Sequence, residues 1–309
     1  MRVLLVGGIG YIGSSVAAEL YSRGHDLLLA GRKSQSKKNQ WGETVVWDAA
    51  REWEGPVPKV DAVVHLASAN GDQTLDSLDT YVNNLAVTRN ILELCGRIDG
   101  AVVLYVSTLQ VFGRWSGIIS AESSVRPTSE YGFSHWVAEE HVKMFARTRS
   151  RQSLILRLSN VVGVGADPDT VRWGTVPADF CLQAVRNRVI SIRSNGNAQR
   201  DFVTVTRTAE RICELVESAR FWDGRVVLIA SGTSSTIREI ANTVSEVAEE
   251  IIGVPVQIEP ELGNGSHEIE SQLQVICESH HRVESTESVG SEMRSAIVDL
   301  MNLAVKKVV

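Results

Sequence analysis

A glycine-rich segment near the start of the chain is the first group of residues whose types and spacing indicate chemistry. Gly7-Gly8-Ile9-Gly10-Tyr11-Ile12-Gly13 follows an apolar run, Val3–Val6, and opens a segment with helical periodicity. Glycines let the backbone turn tightly and approach a pyrophosphate, and the helix N-terminus offers N–H groups and a positive dipole end. Because the segment lies between a predicted strand and a predicted helix, it predicts a dinucleotide site. The residues expected to surround the pyrophosphate are Gly7, Gly10, Tyr11, Ile12 and Gly13.

The end of the second predicted strand indicates which dinucleotide is bound. NAD-binding proteins of this kind place a carboxylate there, which accepts hydrogen bonds from the adenosine ribose. Here the segment reads Leu29-Ala30-Gly31-Arg32-Lys33, with two cations and no carboxylate. Arg32 and Lys33 favour the 2′-phosphate of NADP(H) over NAD(H), although both could instead only solubilise a turn. Asp48 is expected either to contact the adenine amino group or to cap a helix.

These residues are positioned by an alternation of strand-length apolar runs and segments with helical periodicity. Successive buried strands are predicted at Val3–Val6, Leu27–Ala30, Val63–Leu66, Val102–Val106 and Leu154–Leu158. Helices are predicted between them at Ser14–Arg23, Leu75–Cys95 and Tyr131–Arg147. The alternation is typical of an α/β protein with right-handed crossovers, so the sequence predicts a Rossmann doubly wound parallel sheet.

After about residue 160 the alternation becomes irregular, which predicts a smaller C-terminal lobe beside the sheet domain. Three later segments are expected to return to the sheet: Phe202–Val205, a helix near Thr208–Ser218, and Val226–Ile229. The dinucleotide-binding domain is therefore predicted to contain residues 1–160 and about 202–232. The lobe is predicted to contain about 161–201 and 233–309, with helices beginning near Ile237 and around Val289–Leu303.

Composition and charge exclude several classes of protein. A formal net charge of -6 argues against a general binder of nucleic acid or anionic membranes, because both need basic surfaces. No apolar run approaches the roughly 20 residues that span a bilayer, and Met1–Val6 predicts a first strand rather than a signal peptide. The 4 cysteines are far apart and no metal-ligand spacing occurs, so we expect buried thiols in a reducing cytoplasm and no metal.

Further motifs follow the glycine segment in a fixed order over roughly residues 1–240. They are Asp61–Ala67 (DAVVHLA), Asn84–Thr88 (NLAVT), Ser107–Gly113 (STLQVFG), Tyr131–Ser134 (YGFS), Arg157–Gly163 (RLSNVVG), Gly196–Val203 and Ser231–Glu239. In this order they resemble the motifs of the extended short-chain dehydrogenase/reductase family, particularly its nucleotide-sugar epimerases, dehydratases and ketoreductases. The resemblance implies an enzyme whose C-terminal lobe is a substrate-binding lobe for a nucleotide sugar. It also implies a homodimer formed through helices Leu75–Cys95 and Tyr131–Arg147.

The resemblance also implies roles for individual side chains. Tyr131 matches the tyrosine that exchanges a proton with the substrate oxygen, and Thr108 matches the hydroxyl residue that hydrogen-bonds this oxygen. Residues implied to border the cofactor are Leu66, Ala67, Asn84, Tyr131 and His135. Residues implied to contact the substrate are Gln110, Asn160 and Arg200, although Arg200 could instead form a surface salt bridge with Asp201.

One catalytic position departs from the family pattern. In the family, a lysine four residues after the tyrosine lies on the same helix face, holds the ribose hydroxyls and lowers the pKa of the tyrosine. In this chain His135 stands in place of that lysine. An imidazole, with an ordinary pKa of about 6.5, could hold a hydroxyl but would barely lower the pKa of Tyr131. We therefore expect reduction, in which a neutral Tyr131 donates a proton, to survive better than oxidation. We also expect activity to rise as His135 protonates at mildly acidic pH.

The residues after Thr108 narrow the reaction further. Sugar 4,6-dehydratases of the family have an acid pair there, and bifunctional epimerase-reductases have a cysteine, whereas this chain has Leu109 and Gln110. The sequence thus predicts an NADP(H)-dependent reductase of a keto group on a nucleotide-linked sugar. Two alternatives remain open: a nucleotide-sugar epimerase that retains its cofactor, and a cofactor-binding protein that has lost catalysis and acts as a partner subunit or sensor.

Overall fold

The computed structural model describes residues 1–32, 40–68, 78–218, 224–260, 272–277 and 286–308, so the predicted cofactor residue Lys33 lies outside it. The strands are β1 (Arg2–Val6), β2 (Asp26–Gly31), β3 (Glu43–Val46), β4 (Ala62–His65), β5 (Val102–Thr108), β6 (Gly117–Ile119), β7 (Ser153–Leu158), β8 (Asn160–Val162), β9 (Val189–Ile192), β10 (Gln199–Thr204), β11 (Val226–Ile229), β12 (Ser234–Thr236), β13 (Gln257–Pro260) and β14 (Leu273–Val275). The helices are α1 (Tyr11–Ser22), α2 (Leu78–Arg97), α3 (Glu130–Arg149), α4 (Val176–Asn187), α5 (Val205–Glu217), α6 (Ile237–Ile252) and α7 (Thr286–Val308). Within these described ranges, no helix is long and apolar enough to cross a membrane.

Seven strands form one parallel sheet in the order β11-β7-β5-β4-β1-β2-β3. The chain winds from β1 through β2 to β3 in one direction and from β4 through β5 to β7 in the other. The direction reverses between β1 and β4, and in doubly wound folds the carboxyl ends of the strands at such a point form the ligand crevice. The predicted Rossmann fold is confirmed, and the glycine segment follows β1 at this point.

The strands of this sheet are apolar on both faces because helices cover both faces in such folds. The interior side chains on one side of the sheet include Leu4, Val63, Val103 and Ile155, all with no exposed surface, together with residues of α2 and α3. Continuous burial of this kind is why the strands read as unbroken apolar runs in the sequence. β3 has no such run, because three of its four residues are exposed, and the sequence therefore does not predict this strand.

The chain divides into two compact units. The first contains residues 1–114, 122–158 and 208–229, and the second contains 115–121, 159–207 and 230–309. The second unit has a three-stranded sheet, β12-β10-β8, two strand pairs, β13-β9 and β14-β6, and a core formed largely by α4, α6 and α7.

The prediction that Phe202–Val205 returns to the large sheet is wrong, because β10 pairs with β8 and β12 instead. Residues 202–207 and 230–232 accordingly belong to the second unit rather than to the dinucleotide-binding domain. β11, by contrast, joins the large sheet beside β7, as predicted. A short apolar segment such as Phe202–Val205 fits either sheet, and only its partners decide which one it joins.

Candidate active site

The glycine segment closes a tight turn at the carboxyl ends of β1 and β4. Gly7 has a φ of +90°, and a Cβ built there would lie 2.9 Å from the backbone nitrogen of Ala67. A Cβ on Gly13 would collide with the carbonyl oxygen of Gly7, so α1 packs directly against the turn. Only glycine fits both places, because the turn packs its own backbone against the start of α1 and against the end of β4.

The start of α1 is suited to an anion. Gly10 occupies the N-cap in an extended conformation and provides no side-chain cap, and the first turn of the helix contains no acidic residue. The N–H groups and the positive dipole end are therefore not neutralised by a carboxylate of this turn. The donors and the shape of this segment fit the dinucleotide that the sequence predicts, with Tyr11 and Ile12 in the first turn.

At the end of β2 the structure has a glycine where an NAD-binding protein would have its carboxylate. The side chain of Ile9 lies over Gly31, and a Cβ at Gly31 would collide with Cδ1 of Ile9. Arg32 follows directly and is exposed. Asp48 is also exposed, and its carboxylate accepts a hydrogen bond from the backbone of Ala50 at 3.3 Å. This contact supports a capping role for Asp48 in a turn.

The start of α3 is fixed against the turn that follows β5. The hydroxyl of Ser129 caps the helix by accepting from the backbone nitrogen of Gly132 at 3.1 Å. A Cβ on Gly132 would lie 2.6 Å from the carbonyl oxygen of Gln110, so the helix and the turn touch through their backbones. Thr108 accepts from the backbone nitrogen of Gln110 at 3.2 Å. Tyr131, Thr108 and Gln110 are thus brought into one region of the first unit.

His135 lies one turn after Tyr131 on the same helix face, as predicted. The two rings are tilted, with centroids 4.5 Å apart. His135 is 4% exposed, and its Nδ1 forms a hydrogen bond of 2.7 Å with the hydroxyl of Tyr105. Its other ring nitrogen, Nε2, is buried and has no hydrogen-bond partner among the described residues. Less than 1 Å² of this nitrogen is accessible, so a cofactor hydroxyl does not reach it in this arrangement of the side chains.

Burial lowers the pKa of His135 from 6.5 to about 4, because the charged imidazolium would lose its hydration. His135 is therefore neutral at mildly acidic as well as neutral pH. The expectation that activity rises through protonation of His135 at mildly acidic pH is wrong. The sequence could not show this, since it depends on how deeply the imidazole is buried between α3 and β5.

Two further side chains extend this group on the sheet side, because Tyr105 contacts His135 and the ring of His65 lies 4.8 Å from the ring of Tyr105. Burial raises the pKa of Tyr105 well above 10, with a smaller contribution from the carboxylate of Glu139. Burial also lowers the pKa of His65 to about 3, and its Nε2 lies 3.0 Å from the hydroxyl of Thr88. Tyr105, His65 and His135 consequently form an uncharged cluster, and no cation from it stands beside Tyr131.

Asn84 on α2 links this helix to α3 within the first unit. Its amide donates to the hydroxyl of Ser134 at 3.0 Å, and that hydroxyl donates to the carbonyl oxygen of Tyr131 at 2.9 Å. Asn84 is buried and holds the backbone at Tyr131 in place. Leu66 and Ala67 lie half-buried directly after β4, beside the glycine turn.

A buried ion pair beneath the site was not predicted. Glu139 and Arg157 are joined by hydrogen bonds of 3.0 and 2.7 Å, and their side chains are 0% and 3% exposed. Glu139 also accepts from the hydroxyl of Ser107 at 2.6 Å, and the guanidinium of Arg157 lies 4.7 Å from the ring centre of Phe112. The pair joins α3 to β5 and β7. Its one signal in the sequence is that Glu139 continues the four-residue spacing of Tyr131 and His135.

The predicted substrate residues Asn160 and Arg200 lie in the second unit. The amide of Asn160 donates to the carbonyl oxygen of Asp201 at 2.8 Å. The guanidinium of Arg200 lies over the ring of Trp115, 4.7 Å from its centre. The buried carboxylate of Asp201 instead accepts from Ser231 and Gly232, so it is built into the second unit rather than into a surface salt bridge.

No group of three His, Cys, Asp or Glu side chains in the described part of the chain could hold a metal ion. A glycine turn that leads into an uncapped helix N-terminus on a doubly wound sheet defines a Rossmann-type protein. The chain belongs to the NAD dependent epimerase/dehydratase family, whose model matches residues 3–230. The predicted resemblance to extended short-chain dehydrogenase/reductases, a family of enzymes, is thereby confirmed.

Individual relatives within this family have different activities. A putative UDP-glucose 4-epimerase from Methanocaldococcus jannaschii is 25% identical over 248 residues, covering 77% of this chain and 79% of that protein. A dTDP-6-deoxy-L-talose 4-dehydrogenase (NAD(P)(+)) from Kitasatospora kifunensis is 27% identical over 268 residues, covering 83% and 81%. The solved UDP-N-acetylglucosamine 4-epimerase from Methanobrevibacter ruminantium M1 superimposes with a TM-score of 0.80 at 18% identity, covering 99% and 98%.

Proposed function

We propose that this chain is an NADP(H)-dependent reductase of a keto group on a nucleotide-linked sugar. The observation that carries the proposal is the environment of Tyr131. The position one turn later, where the family has a lysine, holds a buried imidazole that stays neutral down to a pH of about 4. Nothing in the uncharged cluster of Tyr105, His65 and His135 favours a tyrosinate. A neutral phenol is the form that donates a proton to a keto oxygen.

When bound, the dinucleotide supplies the hydride, and the chain supplies the proton and the geometry. Tyr131 donates its hydroxyl proton to the substrate oxygen as that oxygen gains negative charge. Thr108, at the end of β5, hydrogen-bonds the same oxygen and helps to orient it. Asn84 and the ion pair of Glu139 and Arg157 hold α3, and with it Tyr131, against the strands.

NADP(H) is the proposed cofactor because of the residues at the end of β2. Gly31 provides no carboxylate for an adenosine ribose, and the exposed guanidinium of Arg32 follows directly. A guanidinium binds a phosphate with charge-assisted hydrogen bonds. The described relatives include one named for NAD(P)(+), while the family as a whole is named for NAD.

A second candidate is a nucleotide-sugar epimerase, and the relatives favour it. Most of the named curated relatives are 4-epimerases of UDP-sugars, at 24–27% identity. An epimerase removes a hydride and returns it, so its tyrosine must act first as a base. The neutral His135 disfavours that first step, and the lack of a carboxylate at the end of β2 disfavours tight retention of NAD.

The assembly is proposed to be a homodimer formed through α2 and α3. These helices expose apolar side chains on the surface of the first unit, among them Leu78 (71%), Val82 (55%) and Met144 (51%). Exposed apolar area of this kind is usual at a contact between subunits. Sedimentation of the purified chain gives its mass, and charge introduced by Val82→Glu should dissociate a dimer held by this surface.

Isotope transfer from the cofactor separates the two candidate reactions. The purified chain is incubated with NADPH that carries two deuterium atoms at nicotinamide C4. Nucleotide 4-ketosugars are added to one set of samples and UDP-sugars to another, and the products are analysed by mass spectrometry. A reductase transfers one deuterium to the sugar for each NADPH oxidised. An epimerase instead interconverts UDP-sugars without net oxidation of NADPH and carries bound cofactor after purification. Tight cofactor binding with neither reaction would support the third alternative, a protein that only binds.

A further inference from the structure

A short turn that follows β3, residues 47–51, is tied through the backbone to the glycine segment. The amide of Gly7 donates to the carbonyl oxygen of Ala30 at 2.9 Å, and the amide of Trp47 donates to the carbonyl oxygen of Gly31 at 2.9 Å. The glycine segment, the end of β2 and the 47–51 turn therefore follow one another along the carboxyl edge of the large sheet. In doubly wound folds this edge holds the ligand, and the end of the second strand faces the adenosine ribose. The 47–51 turn is the next group along this edge, which places it beside the adenine base.

The 47–51 turn exposes two charged side chains, Asp48 and Arg51. The carboxylate of Asp48 is oriented, because one of its oxygens accepts from the backbone nitrogen of Ala50 at 3.3 Å. A carboxylate has two oxygens and about four lone-pair sites, so this bond leaves it able to accept another. The amino group of adenine is a donor, whereas hypoxanthine has a carbonyl oxygen at the same position, which a carboxylate repels. An oriented carboxylate in this turn therefore distinguishes the two bases.

Two side chains hold the backbone of the 47–51 turn. The indole Nε1 of Trp47 donates to the carbonyl oxygen of Arg51 at 3.0 Å, within the turn itself. The amide of Asn90, on α2 and 41 positions later in the chain, donates to the carbonyl oxygen of Ala49 at 3.0 Å. The direction of both bonds is fixed, because a carbonyl oxygen only accepts. Asn90 and Ala49 are both buried, so water does not compete for this contact.

We propose that Asn90 is a positioning residue for the base of the dinucleotide: it holds the Ala49 carbonyl and thereby aims the neighbouring carboxylate of Asp48, which selects adenine. The inference rests on the proposed function in one respect, namely that a dinucleotide binds to the first unit. An aliphatic side chain at position 90 would leave the buried carbonyl of Ala49 without this donor, at a cost in free energy. The turn would shift to hydrate that carbonyl, and Asp48 would move with it.

The first test compares two dinucleotides by fluorescence titration: NADPH and its hypoxanthine analogue, in which a carbonyl oxygen replaces the amino group of adenine. The wild type should bind NADPH at least about 10-fold more tightly, the value of one hydrogen bond to a charged acceptor. Asp48→Asn, at an exposed position, should remove most of this preference, because an amide accepts from an amino group and also donates to a carbonyl oxygen. Equal affinity of the wild type for both dinucleotides would overturn the proposal, and this measurement needs no variant.

The second test asks whether Asn90 acts through Asp48. Asn90→Leu should lower the preference for adenine as Asp48→Asn does, whereas Asn242→Leu, the same substitution at an exposed position of α6, should leave it unchanged. The double variant of Asp48→Asn and Asn90→Leu should lose no more of the preference than Asp48→Asn alone. If Asn90→Leu weakens the binding of both dinucleotides equally and keeps their ratio, its role is only structural and the proposal is wrong.

Hydrogen exchange in the cofactor-free protein measures the 47–51 turn itself. The amide of Arg51 donates to the carbonyl oxygen of Asp48 at 2.8 Å, and it should exchange about 10-fold faster in Asn90→Leu than in the wild type. Unchanged exchange would overturn the proposal, because Asn90 would then not hold the turn. Failure of the wild type to bind either NADPH or NADH would overturn the proposed function as well. Binding with the expected preference, but without turnover of any ketosugar, would count against the reductase and support the role of Asn90.

Discussion

The buried pair of Glu139 and Arg157 allows a quantitative prediction for Glu139→Gln. The carboxylate accepts three hydrogen bonds, from Ser107 at 2.6 Å and from Arg157 at 3.0 and 2.7 Å. Glutamine has nearly the same shape but carries no charge, and its NH2 group would face a donor. Arg157 would then keep its buried charge without the carboxylate that neutralises it, while its guanidinium still lies over the ring of Phe112.

The expected loss of stability is large. Breaking a buried ion pair by removing one partner costs about 3–5 kcal/mol, because the other charge stays buried without compensation. The matched control is Glu93→Gln on α2, whose carboxylate also accepts from an arginine, Arg89, at 2.9 Å. That pair is 48% and 68% exposed, so its loss should cost no more than about 0.5 kcal/mol.

Urea unfolding followed by circular dichroism gives the free energy of unfolding for each variant. Hydrogen exchange at the amides of β5 and β7 shows whether the loss is located in the first unit. Replacement of both partners, Glu139→Met with Arg157→Met, should restore much of the stability because no lone charge remains. A loss below about 1 kcal/mol in Glu139→Gln, similar to that of Glu93→Gln, would refute the view that this pair holds α3 against the sheet.

Three further predictions follow from single residues. Arg32→Ala should weaken NADPH binding by about 10- to 100-fold, the value of a charge-assisted contact, and leave NADH binding unchanged; equal effects on both would contradict a role for Arg32 at the 2′-phosphate. Gly13→Ala should abolish tight cofactor binding in titration because its Cβ meets the Gly7 carbonyl, whereas Gly96→Ala on α2 meets only Phe145 at an ordinary 3.6 Å and should not. The imidazole of His135 has a pKa of 6.5 in the unfolded state and of about 4 in the folded state, so the unfolded state binds its proton first as the pH falls. The free energy of unfolding should therefore decrease by about 3 kcal/mol between pH 6.5 and pH 4 because of His135. Urea unfolding measured across this pH range should show a smaller decrease in the free energy of unfolding for His135→Gln than for the wild type. An equal pH dependence in both proteins would count against a buried neutral imidazole.

Much of the first unit could be predicted from the sequence because local patterns decide it. Buried parallel strands read as apolar runs, and the glycines at positions 7 and 13 are required by contacts within a single turn. The spacing of Tyr131 and His135 on one helix face was also readable, since helical geometry alone fixes it. These features depend on few residues, close together in the chain.

The parts that could not be predicted depend on partners far apart in the sequence. The sheet that β10 joins is decided by its pairing with β8 and β12, about 40 residues before it and about 35 after it along the chain. The charge of His135 depends on its burial beside Tyr105, 30 positions earlier. The pairing of Glu139 with Arg157 likewise needs α3 and β7 to be in place. Neither residue type nor local spacing carries this information.

The most direct test of the proposed function is the rate of NADPH oxidation with a nucleotide 4-ketosugar, measured for the wild type and for Tyr131→Phe at neutral pH. We expect the wild type, which has His135 rather than a lysine, to oxidise NADPH with net turnover. We expect the rate to fall by at least about 100-fold in Tyr131→Phe, the usual contribution of a general acid. An equal rate in Tyr131→Phe would contradict the role of Tyr131 as proton donor. Interconversion of UDP-sugars by the wild type, with no net consumption of NADPH for any ketosugar, would contradict the reductase and establish the epimerase.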